Sequence, residues 1–149
     1  MSRLNIEDAR VDRIRSSAQK VRYDSRLRAN AIASYATAGA QTYTAADILN
    51  GLIVRDCNGA GRTDVLPTAA LLVAAVAAAF GSAEIGQRLQ VHIINGSDAA
   101  ESITIQEGTG GGWDANQVSA KTITQNTAKD IYIELTGVAS GSEAYVAYM

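Results

Sequence analysis

Hydrophobic positions change their period along this chain, and the changes mark out its elements. Leu4, Val11, Ile14, Ala18 and Val21 fall on one helical stripe, with Asn5 placed to cap it and Glu7 and Asp8 in its first turn. The stripe is thin, and a helix this polar needs a surface to lie on. From Ala29 to Ala40 the chain turns mainly to Ala, Ser, Thr and Gly, the composition of a flexible or extended linker. Thr44, with Asp47 three residues on, resembles a capping box and predicts a helical turn over Ala45 to Leu49, ended by Gly51. Leu52 to Cys57 reads as a strand, closed by the turn Asn58-Gly59-Ala60-Gly61.

Pro67 and Thr68 then open a helix from Ala69 to Phe80, which Gly81 stops. Leu71, Leu72, Val73, Val76 and Phe80 sit in it on a background of Ala, so it has no polar face and belongs in the domain core or in a subunit interface. Covering it on every side with a body of roughly 110 residues is difficult, which favours oligomerisation. The remainder is β. Arg88 to Ile94 alternates Leu89, Val91 and Ile93 with Gln90 and His92, and Asn95-Gly96 follows as a turn. Further strands are expected over Ser102 to Gln106, Thr122 to Thr124, Ile131 to Leu135 with Tyr132 and Glu134 outward, and Ala144 to Met149. The predicted fold is mainly β: an antiparallel sandwich or jelly-roll-like body over 41–149, with one buried apolar helix, carrying an N-terminal extended or helical arm over 1–40.

Length and composition narrow the classes. A chain of 149 residues suits one domain with an appendage, and 47% apolar against 19% charged is a globular balance. One Cys excludes an internal disulfide, and Cys57 with His92 is too small a set for a structural zinc site. The apolar run from Ala69 to Phe80 spans only about 18 Å as a helix, short of a bilayer, so no membrane partner is expected. Met1 to Arg15 lacks the apolar core of a secretory signal, and a soluble protein made in the cytoplasm is the expectation. The net charge of −2 divides unevenly: eight Lys or Arg against four acids up to Ala40, a net +4, and five against eleven beyond it, a net −6.

Little of this carries chemistry. His92, the single histidine, lies mid-strand and reads as a partly exposed strand residue, while Cys57 beside Asp56 reads as a buried, inert thiol. Asp56, Asp64, Asp98, Glu101, Glu107 and Asp114 fall at strand ends and in loops, with no spacing that singles out an acid and base pair or a calcium loop. Gly108 to Gly112 lacks the Lys-Ser/Thr of a phosphate loop and predicts a mobile hairpin loop, with Trp113 anchoring its base or exposed for contact. Trp113 and Tyr132 are the candidate contact residues. No enzyme activity, cofactor or metal is expected. In the arm, Arg3, Arg10, Arg13, Arg15, Lys20, Arg22, Arg26 and Arg28 suit an acidic protein surface better than nucleic acid, which the negative body repels.

Short phrases add a resemblance. Gly-Leu-Ile-Val-Arg-Asp at 51–56, Gly-Ala-Gly-Arg-Thr-Asp at 59–64 and Leu-Pro-Thr-Ala-Ala-Leu-Leu-Val at 66–73 resemble small structural proteins of tailed-bacteriophage virions. The stretches 94–108 and 136–148 are similar in texture, and the arm lies outside the likeness. The nearest functional class is the capsid decoration, or cement, proteins. The resemblance implies a homo-oligomer, commonly a trimer, on the capsid exterior, bridging major capsid subunits and stabilising the shell through many repeated contacts. The basic arm would then reach across capsid proteins, and 69–80 would pack the body or the oligomer interface. The alternative is a fibre or tail-associated module that binds a receptor or glycan through Trp113 and Tyr132. An enzyme of carbohydrate metabolism is the remaining competitor.

Overall fold

A computed structural model describes residues 31–117 and 121–149, all of them within one compact unit that begins at Ala31. The expected arm helix and the eight basic residues from Arg3 to Arg28 lie outside the described residues. Nine strands form two sheets. The larger contains β1 (Ala33–Ala36), β2 (Leu52–Asp56), β4 (Arg88–Asn95), β8 (Ala128–Gly137), β9 (Ala144–Tyr148) and β6 (Gly111–Trp113), in that spatial order. The smaller has β3 (Arg62–Val65), β5 (Ile103–Gln106) and β7 (Thr122–Ile123). Two α-helices, α1 (Ala45–Asn50) and α2 (Ala69–Phe80), complete the described elements with a single 3-10 turn at Ala115–Gln117.

The strands are not paired as expected. Four of the seven strand pairings among the described residues, β1·β2, β2·β4, β3·β5 and β6·β9, are parallel, and only β4·β8, β8·β9 and β5·β7 are antiparallel. The body is therefore mixed rather than antiparallel. Parallel neighbours need long crossovers, and this chain supplies them: α1 lies between β1 and β2, and β3 with α2 lies between β2 and β4.

Local signals set the helices. Thr44 caps α1 through a full capping box: its Oγ1 accepts from the Asp47 amide (3.1 Å) and Asp47 Oδ2 accepts from the Thr44 amide (2.7 Å). Thr68 caps α2 by accepting from the Leu71 amide, and Gly81 ends it in the left-handed conformation (φ 90°) that a side chain would resist. Ile53, Val91, Ile93, Ile131, Ile133 and Leu135 from the large sheet join Ile103, Ile105 and Ile123 from the small one in a single apolar core, with Ile48 of α1 and Leu72 and Val76 of α2. Each such side chain contributes about 1.5–3 kcal/mol on burial.

Two stretches depart from their expected character. Ala33–Ala36, expected as linker, is the edge strand of the large sheet, with Tyr35 turned inward and donating to Asp47 Oδ2 (2.7 Å). Gly108 to Gly112, expected as a mobile hairpin loop, is packed. Its Gly111 and Gly112 open strand β6, the Gly108 amide donates to the Tyr145 hydroxyl (2.9 Å), and that hydroxyl donates on to the Pro67 carbonyl (3.2 Å). A Cβ at Gly111 would fall within the Tyr145 ring, and one at Gly108 would strike the Leu66 and Pro67 carbonyls. These glycines serve close approach.

Candidate functional site

Helix α2 meets its expectation only in part. Leu72 (0% exposed), Val76 (1%) and Val73 (8%) are buried, but Leu71 and Phe80 are each 58% exposed. A single face of the helix lies on the body, and the other presents Ala70, Leu71, Ala74 and Ala78 to solvent with no polar side chain among them. Phe80 follows Val73 and Val76 on the packed stripe but sits at its end, where it lines a hollow of about 180 Å³ with Val76, Gln87, Arg88 and Leu89. Ile85, in the turn beyond, is 69% exposed.

Arg88 also belongs to the outer face of the large sheet. There it pairs across strands with Glu134 (2.7 Å), its register partner on β8. Tyr132, 45% exposed as its outward position predicted, faces Tyr148 of β9 in register. These four side chains line a shallow depression of about 290 Å³. Further along, His92 Nδ1 lies 2.9 Å from Asp130 Oδ1, again a register pair, with both side chains about two-fifths exposed. Hydrogen bonds from His92 and Gln90 hold the Asp130 carboxyl below the usual carboxylate range. No Ser, Thr or Cys among the described residues is hydrogen-bonded to His92, so the ring has an orienting carboxylate and no nucleophile.

Trp113 takes the anchoring role of its two expected ones. It is half-buried against the core with its indole nitrogen inside, and Lys121 Nζ stands 5.3 Å over its ring. Cys57 is fully buried, as expected.

The acids expected as dispersed loop charges divide into two groups with distinct roles, apart from Glu107, which pairs with Lys121, and Asp114, which caps the Asn116 amide. Asp64 is fully buried and pairs with the fully buried Arg55 at 2.8 Å. Its carboxylate also accepts from the Tyr43 hydroxyl and the Gln41 amide (both 2.8 Å), and Arg55 donates to the carbonyls of Thr37, Gly39 and Asp56. Burial, with the neighbouring Asp64 charge, pushes the Tyr43 hydroxyl far above its ordinary range.

Asp56, Asp98 and Glu101 converge instead. Each offers an oxygen, and these oxygens lie within 4.8 Å of one another. Parallel pairing explains the meeting: Arg55 of β2 stands beside Asn95 of β4, so the chain leaves both strands at the same end. The two connections, 57–61 and 96–102, then run side by side and enter β3 and β5 with Arg62 beside Ile103. Among the described residues this is the only acidic cluster with metal-ligand spacing. Likewise, no helix among them is long and apolar enough to cross a membrane. Comparison with known proteins gave no matching family model, no matching curated protein and no matching solved structure.

Proposed function

We propose that this chain is a structural virion protein, a homo-oligomer, with a trimer favoured, that binds the outside of a phage capsid and stabilises it by bridging major capsid subunits. The observation that supports the reading best is α2. A helix of twelve residues without one polar side chain keeps half its surface open, and a second copy of the chain is the simplest cover for it. The phrases at 51–73 supply the link to tailed-phage structural proteins. In this reading the two sheets pack as a sandwich, the basic residues of 1–30 contact neighbouring capsid proteins, and no catalytic step is required.

Mass photometry of the purified chain, followed by co-sedimentation with capsids that lack it, tests the proposal. A stable trimer that pellets with capsids is expected; a monomer that stays in the supernatant overturns it. Because Ala33–Ala36 is a strand of the body, the informative truncation removes 1–30 and not 1–40. It is expected to abolish capsid binding while the β circular-dichroism signal persists. The glycan-binding alternative draws support from the depression between Tyr132, Tyr148, Arg88 and Glu134, where two aromatic rings stand beside hydrogen-bonding charges. It predicts glycan-array binding that is lost in Tyr132→Ala.

A further inference from the structure

We propose that the paired crossovers bind a hard divalent cation, calcium in preference to magnesium, on Asp56, Asp98 and Glu101. The first observation is convergence. Oxygens from all three carboxylates lie within 4.8 Å of one another, the span that two opposite ligands about 2.4 Å from a calcium ion reach. Magnesium holds its ligands at about 2.0–2.1 Å in a strict octahedron and fits so wide a set less well. The donors are all oxygen, so a thiophilic metal is not favoured. The spacing is also tighter than the roughly 5–5.5 Å that separates the carboxyls of a retaining glycosidase, which argues against an acid and base pair.

The second observation is independent of the grouping. Glu101 is only 5% exposed, and while its Oε1 accepts from the Gly59 amide at 2.6 Å, its Oε2 is buried with no hydrogen-bond partner. A buried carboxylate oxygen left bare, beside two further carboxylates, is costly unless a cation completes it. The surroundings are built to hold the group in place. The Cys57 amide donates to Ser97 Oγ (2.9 Å), the Gly96 amide to the Arg55 carbonyl (2.8 Å), and Asn95 Nδ2 to the Glu101 carbonyl (2.9 Å). Asp56 is half-buried and Asp98 exposed, so the third side of the site faces solvent, where water can fill the remaining coordination positions. A cation here would tie together the two connections that carry the chain from the large sheet to the small one.

The test uses the full chain, freed of metal with a chelator and then titrated with calcium chloride or magnesium chloride by calorimetry and thermal denaturation. Calcium is expected to bind and to raise Tm by several degrees, with a smaller shift from magnesium. Asp98→Asn, at an exposed position, should leave the chelated protein's Tm unchanged and weaken calcium binding by about tenfold or more. Glu101→Gln should be at least as stable as the parent in chelator, because its amide no longer strands a buried charge, yet gain nothing from calcium. No calcium heat and no Tm shift at millimolar calcium would overturn the proposal. So would an equal shift in the parent, Asp98→Asn and Glu101→Gln, which would place the ion elsewhere, and a magnesium shift as large as calcium's would overturn the stated preference.

Discussion

Arg55 and Asp64 show what one buried charge asks of its neighbours. Both are fully buried, and every strong group around them is committed: Tyr43 and the Gln41 amide on the carboxylate, three main-chain carbonyls on the guanidinium. The pair thereby ties 37–41, which follows the edge strand β1, to β2 and β3. Removing one partner leaves the other buried and unpaired, so Asp64→Asn should cost about 3–5 kcal/mol in urea denaturation. Replacing both, as Arg55→Met with Asp64→Leu, should recover much of that loss, since an apolar pair leaves no stranded charge. Gly111 makes a different demand. Its backbone angle is ordinary, but the Tyr145 ring occupies the place of a Cβ, so Gly111→Ala should cost about 1–3 kcal/mol by overpacking and alter the near-ultraviolet tyrosine signal.

Helix α2 separates what a local pattern encodes from what it leaves to assembly. Pro67, Thr68 and Gly81 mark its ends, and the structure begins and ends it at Ala69 and Phe80, as those signals predict. Which half faces the core is not written in a segment that is apolar all round, because there is no polar stripe to mark the outside. The packing reveals it, and a prediction follows. Leu71→Ser lies on the open half and should reduce self-association, read by mass photometry, with little change in monomer stability. Leu72→Ala lies in the core and should cost about 2–5 kcal/mol. The strands divide in the same way. Those with apolar alternation, such as Arg88–Asn95 and Ala128–Gly137, are legible in the sequence; Ala33–Ala36, Arg62–Val65 and Gly111–Trp113 are not, because their extended state comes from partners distant in the chain. Alternation also says nothing of strand direction. The parallel pairing of β2 with β4 was therefore not legible, and with it went the meeting of Asp56 with Asp98 and Glu101.

Taken whole, the molecule stores an uncommon share of its order in buried phenols. Of its six tyrosines, Tyr43 and Tyr145 are almost completely buried, and Tyr35 is half-buried on the hydroxyl-to-carboxylate bond to Asp47. Burial pushes Tyr145 up to about 12, burial with the Asp47 hydrogen bond takes Tyr35 to about 12 as well, and Tyr43 goes higher still. The direction fixes the consequence. Each folded-state value lies above the unfolded one near 10, so the stabilisation is fully present below pH 10 and is lost as pH rises above it, where the unfolded chain gives up protons that the native state retains. Tyr43 and Tyr145 should each remove about 1.4 kcal/mol per pH unit above 10, and the more exposed Tyr35 less. Stability measured by urea denaturation should therefore be flat from pH 8 to about 9.5 and fall steeply beyond it. Tyrosinate absorbance should rise in two stages, the later one coinciding with loss of the β signal. Tyr43→Phe removes one of the protons and should make the decline shallower, although it also deprives Asp64 of a donor and lowers the plateau. A decline of unchanged steepness in Tyr43→Phe would show that the phenols are not what limits the fold at high pH.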